Sequence, residues 1–228
     1  MKFLILLFYY ERPEMLNSAI QSVLQQDYHE WEVFLIDDGV KFKARDHVDL
    51  RCFSENKLTL VEIGDNEQVK LKRQERRSSF GGSIFGAFAN TAMSTTDATH
   101  AIMLCDDDEL KPDYLSKLRD WYSCNDSNYS YCHLEFKDPN NGSSVENDYT
   151  RYLNSKSHPI NPVNEVDSSQ VSWSVEAWRN SGIHFPYPQT SHLDRSIFQQ
   201  MYSSWGDCRF NGITGQIKGI HKEQLIHR

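Results

Sequence analysis

The chain opens with an unbroken apolar run, Phe3-Leu4-Ile5-Leu6-Leu7-Phe8-Tyr9-Tyr10, that stops at Glu11-Arg12-Pro13. Hydrophobicity without alternation, bounded by charge and proline, predicts a strand buried on both faces. Coming directly after Met1-Lys2, the run superficially resembles a leader, but no small-residue cleavage site follows it. It is also far shorter than the roughly 20 residues that a membrane span needs. From Glu14 to Gln26 the apolar positions Leu16, Ile20, Val23 and Leu24 recur at helical spacing, with Pro13 where a first-turn proline is tolerated. Trp31 to Ile36 reads as a second buried strand, closed by the turn signal Asp37-Asp38-Gly39. Strand, helix and strand in such a short stretch predict a βαβ unit, hence parallel strands with a right-handed crossover. Leu58 to Ile63 is a third strand candidate. Ile84, Phe88 and Ala92 return to helical spacing, and His100 to Leu104 is a fourth strand that stops at Cys105-Asp106-Asp107-Asp108. After Pro112, helical periodicity runs through Tyr114, Leu115, Leu118 and Trp121.

This alternation predicts an α/β fold, an open, doubly wound, mostly parallel sheet whose ligand crevice lies at the carboxyl ends of the strands. Both acidic clusters fall on that rim. The second half is more irregular: Asp138 to Ser169 is rich in Asn, Ser, Asp and Pro and reads as long loops within the same domain. No internal repeat is visible. Composition narrows the partners. With 24 Lys+Arg against 32 Asp+Glu the net charge is −8, which argues against a nucleic-acid binder working by bulk phosphate neutralisation. The cysteines, Cys52, Cys105, Cys124, Cys132 and Cys208, are odd in number and lack paired metal-ligand spacing. They read as reduced thiols of a cytoplasmic protein.

The chemistry concentrates in Asp106-Asp107-Asp108-Glu109 at the end of an apolar strand. Carboxylates so close repel one another unless a cation sits among them. A hard divalent ion, Mg²⁺ or Mn²⁺, takes such oxygen ligands together with substrate phosphates. A solvated acidic turn capping the following helix is the alternative reading. Asp37-Asp38 forms a second pair on the same rim, and Tyr10-Glu11-Arg12 stands at a third strand end. Together they outline a cup for a nucleotide, with a ring to stack on, carboxylates for base or ribose, and a metal for a diphosphate.

Several ordered motifs then match one family. Tyr10-Glu11-Arg12-Pro13, Ser22-Val23-Leu24-Gln25-Gln26-Asp27-Tyr28 and Ile36-Asp37-Asp38-Gly39, with Ala89-Asn90 and the stretch Leu104 to Leu115, resemble the GT-A glycosyltransferases of the family-two class. The resemblance implies a single GT-A domain over 1–228, with a nucleotide-sugar half in 1–125 and an acceptor and catalytic-base half in 126–228. It implies that Tyr10 packs near the base, Asp38 hydrogen-bonds it and Asp106 approaches the ribose. Asp107, with Asp108, would bind the metal, in a DXD-type motif that is intact as Asp106-x-Asp108 or degenerate if its first position is Cys105. Ser191 to Phe198 resembles the acidic motif that supplies the general base, here Asp194. Ser169 to Trp173 and Gly182 to Phe185 resemble the loop pair over donor sugar and acceptor, although Trp173 reads equally as a core aromatic. His221 and His227 lie in the tail, where some GT-A enzymes place a metal-binding histidine. Two positions depart from the pattern. Ala89 stands where an Arg is common, leaving Lys70, Lys72, Arg73, Arg76 and Arg77 as sources of a diphosphate-facing cation, and Glu11 stands where an Asn is usual.

The implied activity is metal-dependent transfer of a sugar from a nucleotide diphosphate, such as a UDP- or GDP-sugar, to an acceptor hydroxyl of a glycan or another molecule, with inversion and Asp194 as base. The alternatives are a sugar-nucleotide or glycan-binding module on the same scaffold and, more remotely, a nucleotidyltransferase. The expected enzyme is soluble and cytoplasmic, without a transmembrane segment.

Overall fold

The computed structural model describes residues 1–39, 41–54, 57–63, 85–138, 141–186 and 193–220. In chain order these form β1 (Phe3–Tyr9), α1 (Pro13–Leu24), β2 (Trp31–Asp37), α2 (Ala44–His47), β3 (Leu58–Glu62), α3 (Phe85–Thr95), β4 (His100–Cys105), β5 (Glu109–Leu110) and α4 (Tyr114–Cys124). They continue with β6 (Tyr129–Lys137), α5 (Asp148–Leu153), β7 (Val171–Ser174), α6 (Val175–Ser181), α7 (Leu193–Trp205) and β8 (Arg209–Gly219). Among the described residues the strands make one eight-stranded sheet in the order β3-β2-β1-β4-β7-β6-β8-β5.

The first half follows the sequence pattern closely. β1 is central and pairs in parallel with β2 and β4, while β2 pairs in parallel with β3. Side chains alternate across a strand, so β1 serves two cores at once. Phe3, Ile5, Leu7 and Tyr9 pack on one face with Leu16, Ile20 and Val23 of α1 and Leu115 and Leu118 of α4. Leu4 and Leu6 pack on the other with Ala89, Ala92 and Met93 of α3 and Ile197 of α7. Two buried faces explain why β1 reads as a continuous apolar run. Helix α1 begins on Pro13, whose missing N–H is one the first turn leaves unpaired anyway. No described helix is long and apolar enough to cross a membrane.

The second half is more regular than its composition predicts. β6, β7 and β8 extend the same sheet, with β7 antiparallel to both β4 and β6, and β8 parallel to β6. Ser169 to Trp173 is therefore not a loop over the donor. It is a short turn running into β7, and Trp173 is fully buried against Trp178 and Phe185. The expected loops of 138–169 hold one short helix, α5, started by a reciprocal capping box between Asn147 and Thr150. All five cysteines are free thiols.

The strand ends fall level. Phe8 sits opposite Ile36 on one side and Cys105 on the other, and Tyr9 sits opposite Asp37. This register brings 9–12, 37–39 and 105–108 to one rim. The last strand reaches the same rim from the other edge, and it can do so because Gly215 lies flat on the ring of Tyr114: a Cβ there would stand 2.3 Å from a ring carbon. Tyr114 is itself completely buried, so the ring has no room to retreat. Gly215→Ala is therefore expected to cost roughly 1–3 kcal/mol of folding free energy by overpacking, read as a lower urea midpoint at unchanged slope.

Candidate functional site at the carboxyl rim of the sheet

At the end of β2, Asp37 is wholly buried and serves the backbone. Its carboxylate accepts from the amides of Gly39 and Ala44, both at 2.8 Å, which folds the chain back into α2. Asp38 is also fully buried, and its amide donates to the Tyr9 carbonyl at 3.1 Å. Gly39 is required, since a Cβ there would meet the Phe42 carbonyl at 2.4 Å. Tyr9 is a core residue whose hydroxyl donates to the same carbonyl at 2.5 Å, whereas the ring of Tyr10 is 46% exposed on the rim. Glu11 adopts φ +60°, the left-handed region that Asn tolerates better than other side chains. The family's usual Asn thus has a conformational reason here. Glu11 offsets the strain by accepting from the Lys41 amide at 2.8 Å.

At the end of β4 the carboxylates diverge. Asp106 turns inward, accepts the Tyr10 amide at 2.9 Å and takes a forked bond from the Arg12 guanidinium, whose Nε lies 3.3 Å away. The same guanidinium reaches Asp107 at 2.8 Å. Burial outweighs the pull of Arg12 and the Tyr10 amide, so the Asp106 carboxyl is raised to about 6. Arg12, which sequence placed in the nucleotide cup, is thus the local counter-charge of the acidic run. Ala89 is fully buried, so an Arg at that position would face the core and not a diphosphate. Asn90 clamps the Phe185 backbone through bonds at 2.7 and 2.8 Å, tying α3 to the 182–185 segment.

Asp108 points away from Arg12, toward β8. One oxygen accepts the Gly219 amide at 3.0 Å; the other, Oδ2, is buried without a hydrogen bond. Its nearest charge is the Lys218 ammonium at 3.5 Å, which also contacts Asp167 at 3.0 Å. Burial and Asp107 raise the Asp108 carboxyl, against the pull of Lys218. Asp167 begins the turn before β7, its carboxylate accepting from the Ser169 amide and hydroxyl. Asp194 stands in the first turn of α7. Burial, reinforced by Asp167, raises the Asp194 carboxyl. Asp194 and Asp167 share a cavity of about 400 Å³ with Tyr149, Tyr152, Arg195 and Phe198.

One oxygen each from Asp107 and Asp108, with the Cys105 sulfur, lie within 4.8 Å of one another. The unpaired buried oxygen of Asp108 fits a divalent cation. The Cys105 thiol is a poor partner for a hard ion such as Mg²⁺ or Mn²⁺, which takes oxygen ligands. Asp107 and Asp108 are thus the carboxylate donors that lie together at the end of β4. His221, His227, the 70–77 basic stretch and Ser191-His192 lie outside the described residues. Sequence reasoning missed Lys218 and Asp167 altogether. Lys218 sits in a glycine-spaced segment that gave no strand signal.

Comparison with known proteins agrees with this layout. The model of one family, "Glycosyl transferase family 2", matches residues 4–167. Among curated proteins no sequence matches. Similar solved structures include TarS of S. aureus, at a TM-score of 0.70 and 15% identity, covering 99% of this chain and 38% of that one. A shorter TarS fragment in complex with UDP-GlcNAc gives a TM-score of 0.72 at 16% identity, covering 100% and 61%. The mannosyltransferase PcManGT from Pyrobaculum calidifontis, in complex with GDP-Man and Mn²⁺, gives 0.64 at 13%, covering 97% and 57%. The chain therefore spans well under two thirds of each of these structures, and at such identities the likeness is one of fold.

Removing Arg12 should expose what it holds. Breaking a fully buried ion pair costs about 3–5 kcal/mol, but the Arg12 side chain is 35% exposed against 2% for Asp106. Arg12→Met is accordingly expected to lose roughly 2–3 kcal/mol after allowing for solvent screening. The double variant Arg12→Met/Asp106→Asn should recover part of that loss in a urea-denaturation cycle.

Proposed function

The chain belongs to glycosyl transferase family 2, and on that premise we propose that it transfers a sugar from a nucleotide-diphosphate donor to an acceptor hydroxyl, with inversion at the anomeric carbon. The observation that carries this reading is the proximity of two carboxylate sets: Asp107 and Asp108 at the end of β4, and Asp167 and Asp194 on the wall of one cavity, with Lys218 in contact with both Asp108 and Asp167. GT-A relatives bound to UDP-GlcNAc and to GDP-Man with Mn²⁺ support a UDP- or GDP-sugar as donor and a divalent ion as cofactor.

In this reading the exposed ring of Tyr10 stacks on the nucleotide, with Glu11 and Arg12 shaping the turn beneath it and Asp38 hydrogen-bonding the base. Asp106, through Arg12, fixes the orientation of Asp107 next to the ribose and diphosphate. When bound at Asp107 and Asp108, a divalent ion supplies the Lewis-acid charge that stabilises the leaving diphosphate. Asp194 is the general base. It accepts the proton of the acceptor hydroxyl as that oxygen bonds to the anomeric carbon and the bond from that carbon to the phosphate oxygen breaks. A carboxylate that is partly desolvated and lies next to Asp167 is a stronger base than one in water, which suits the task. The adjoining cavity, with Tyr149 and Tyr152 on its wall, has the size and mixed character of an acceptor site. A nucleotide-sugar or glycan-binding module without turnover is the competing reading. The placement of Asp194 on the wall of a cavity next to the Asp167-Lys218-Asp108 cluster favours the enzyme.

Three outcomes are expected. In a thermal-shift panel of UDP-, GDP-, CMP- and dTDP-sugars, one nucleotide class raises Tm in the presence of Mn²⁺, and Asp107→Ala removes the increment. Asp194→Asn lowers kcat by 10² to 10⁴, on the order of a lost general base, while leaving donor binding within about twofold. In the wild type, kcat/KM rises with pH as Asp194 loses its proton, with an apparent pKa above the ordinary carboxylate value of about 4. Donor binding without turnover in wild type and variant alike would establish the binding module instead.

A further inference from the structure

Lys218 is an unusual residue for its position. It is the penultimate residue of β8, its side chain is only 14% exposed, and its ammonium faces two carboxylates that belong to opposite halves of the site. Asp167 lies 3.0 Å away and Asp108 lies 3.5 Å away. A buried ammonium is costly unless paired and hydrogen-bonded. Here the pairing is lopsided. Asp167 is the closer ion-pair partner, while Asp108 Oδ2 lies farther from the ammonium and stays without a hydrogen bond. That oxygen is also the one a divalent ion would take, because Asp108 Oδ1 is committed to the Gly219 amide. Lys218 and a metal ion therefore address the same atom from different sides.

The placement also has mechanical content. Gly219, the next residue, presses against the acidic loop so closely that a Cβ there would meet the Asp107 carbonyl at 2.4 Å. A single side chain thus links the β4 loop to the turn before β7, and that turn's Asp167 lines the same cavity as Asp194 of α7.

We propose that Lys218 is a built-in cation of the transfer site: a positioning residue that ties the Asp107-Asp108 loop to the Asp167-Ser168 turn beneath Asp194 and sets how strongly the acidic cluster takes up a divalent ion. The inference rests on the glycosyl-transfer reading for the purpose it assigns, but the cation balance is measurable without turnover. With Lys218 in place the cluster is partly neutralised by its own chain, and a divalent ion meets one fewer uncompensated carboxylate. Without it, Asp108 and Asp167 face each other unscreened, and electrostatics favours recruitment of a cation from solution.

The test is a Mn²⁺ titration of the full chain, followed by the electron paramagnetic resonance of free ion, for wild type, Lys218→Gln and Lys218→Arg. Lys218→Gln is expected to bind Mn²⁺ at least tenfold more tightly than wild type, or to bind one ion more, and Lys218→Arg to return to wild-type behaviour. Equal Mn²⁺ binding in all three, including none in any, overturns the proposal and leaves Lys218 as packing. Tighter binding in Lys218→Gln alongside no measurable binding in wild type supports the proposal and undercuts metal dependence of the native enzyme, so the two readings fail separately. Should Lys218→Gln not fold, Lys218→Met/Asp167→Asn removes one buried charge of each sign and frees Asp108 in a balanced cluster. Mn²⁺ is expected to bind this double variant at least tenfold more tightly than it binds Asp167→Asn, where Lys218 remains, and equal binding of those two counts against the proposal.

Discussion

Carboxylates gathered at the end of an apolar sheet repel one another and resist desolvation, and the rest of this structure is arranged around that constraint. Asp37, Asp38, Asp106 and Asp108 are all essentially buried. Three of them are tolerated for different reasons. Asp37 is neutralised in effect by two backbone amides that it organises into a turn. Asp106 is held by a forked guanidinium and an amide, the geometry in which arginine outperforms lysine. Asp108 has only one amide and a distant ammonium, so it is the least satisfied group on the rim. A buried polar atom left without a hydrogen bond calls for an explanation, and on this rim that atom is Asp108 Oδ2.

Register makes the arrangement possible. Because β1 pairs without offset to both β2 and β4, the turns after these strands project to a common height. A one-residue slip would exchange the faces of β1, sending Tyr9 to the opposite side and turning the Tyr10 amide away from Asp106. Alternation in β1 thus protects two cores and one ion cluster simultaneously.

The first half of this plan was legible in the sequence because each signal there is local. Apolar runs mark β1, β2 and β4, heptad-like spacing marks α1 and α4, and an acidic pair closes β2. The second half was harder for physical reasons. β6 carries buried Ser130 within its span, and β8 carries Gly212, Gly215 and Gly219, residues that ordinarily announce turns. Their strand conformation comes from pairing with each other across irregular register shifts, which a linear pattern does not encode. Trp173 likewise reads the same in a loop and in a core until its neighbours are known. The candidate ligands and base were visible as acidic residues at element ends; the cations that compensate them were not. Arg12 was assigned to the nucleotide, and Lys218 drew no attention, because a charge partner 111 residues away from its neighbour's contact leaves no trace in spacing. Glu11 shows the reverse: its substitution for Asn looked like a loss of turn chemistry, whereas the backbone keeps the left-handed conformation and only the cost is raised.

The way β8 inserts between β6 and β5 carries a consequence for biogenesis. Chains emerge from the ribosome amino end first and their domains fold as units, so the nucleotide-facing strands β1, β2 and β4 are available long before residues 209–219 are synthesised. Until then the acidic loop has Arg12 but neither the Gly219 amide nor the Lys218 ammonium. The rim is therefore assembled with its carboxylates under-compensated and is completed only by the closing strand. The observed pairing of the acidic rim is thus a property of the whole sheet, and a nascent or truncated chain with an otherwise intact amino-terminal half lacks it.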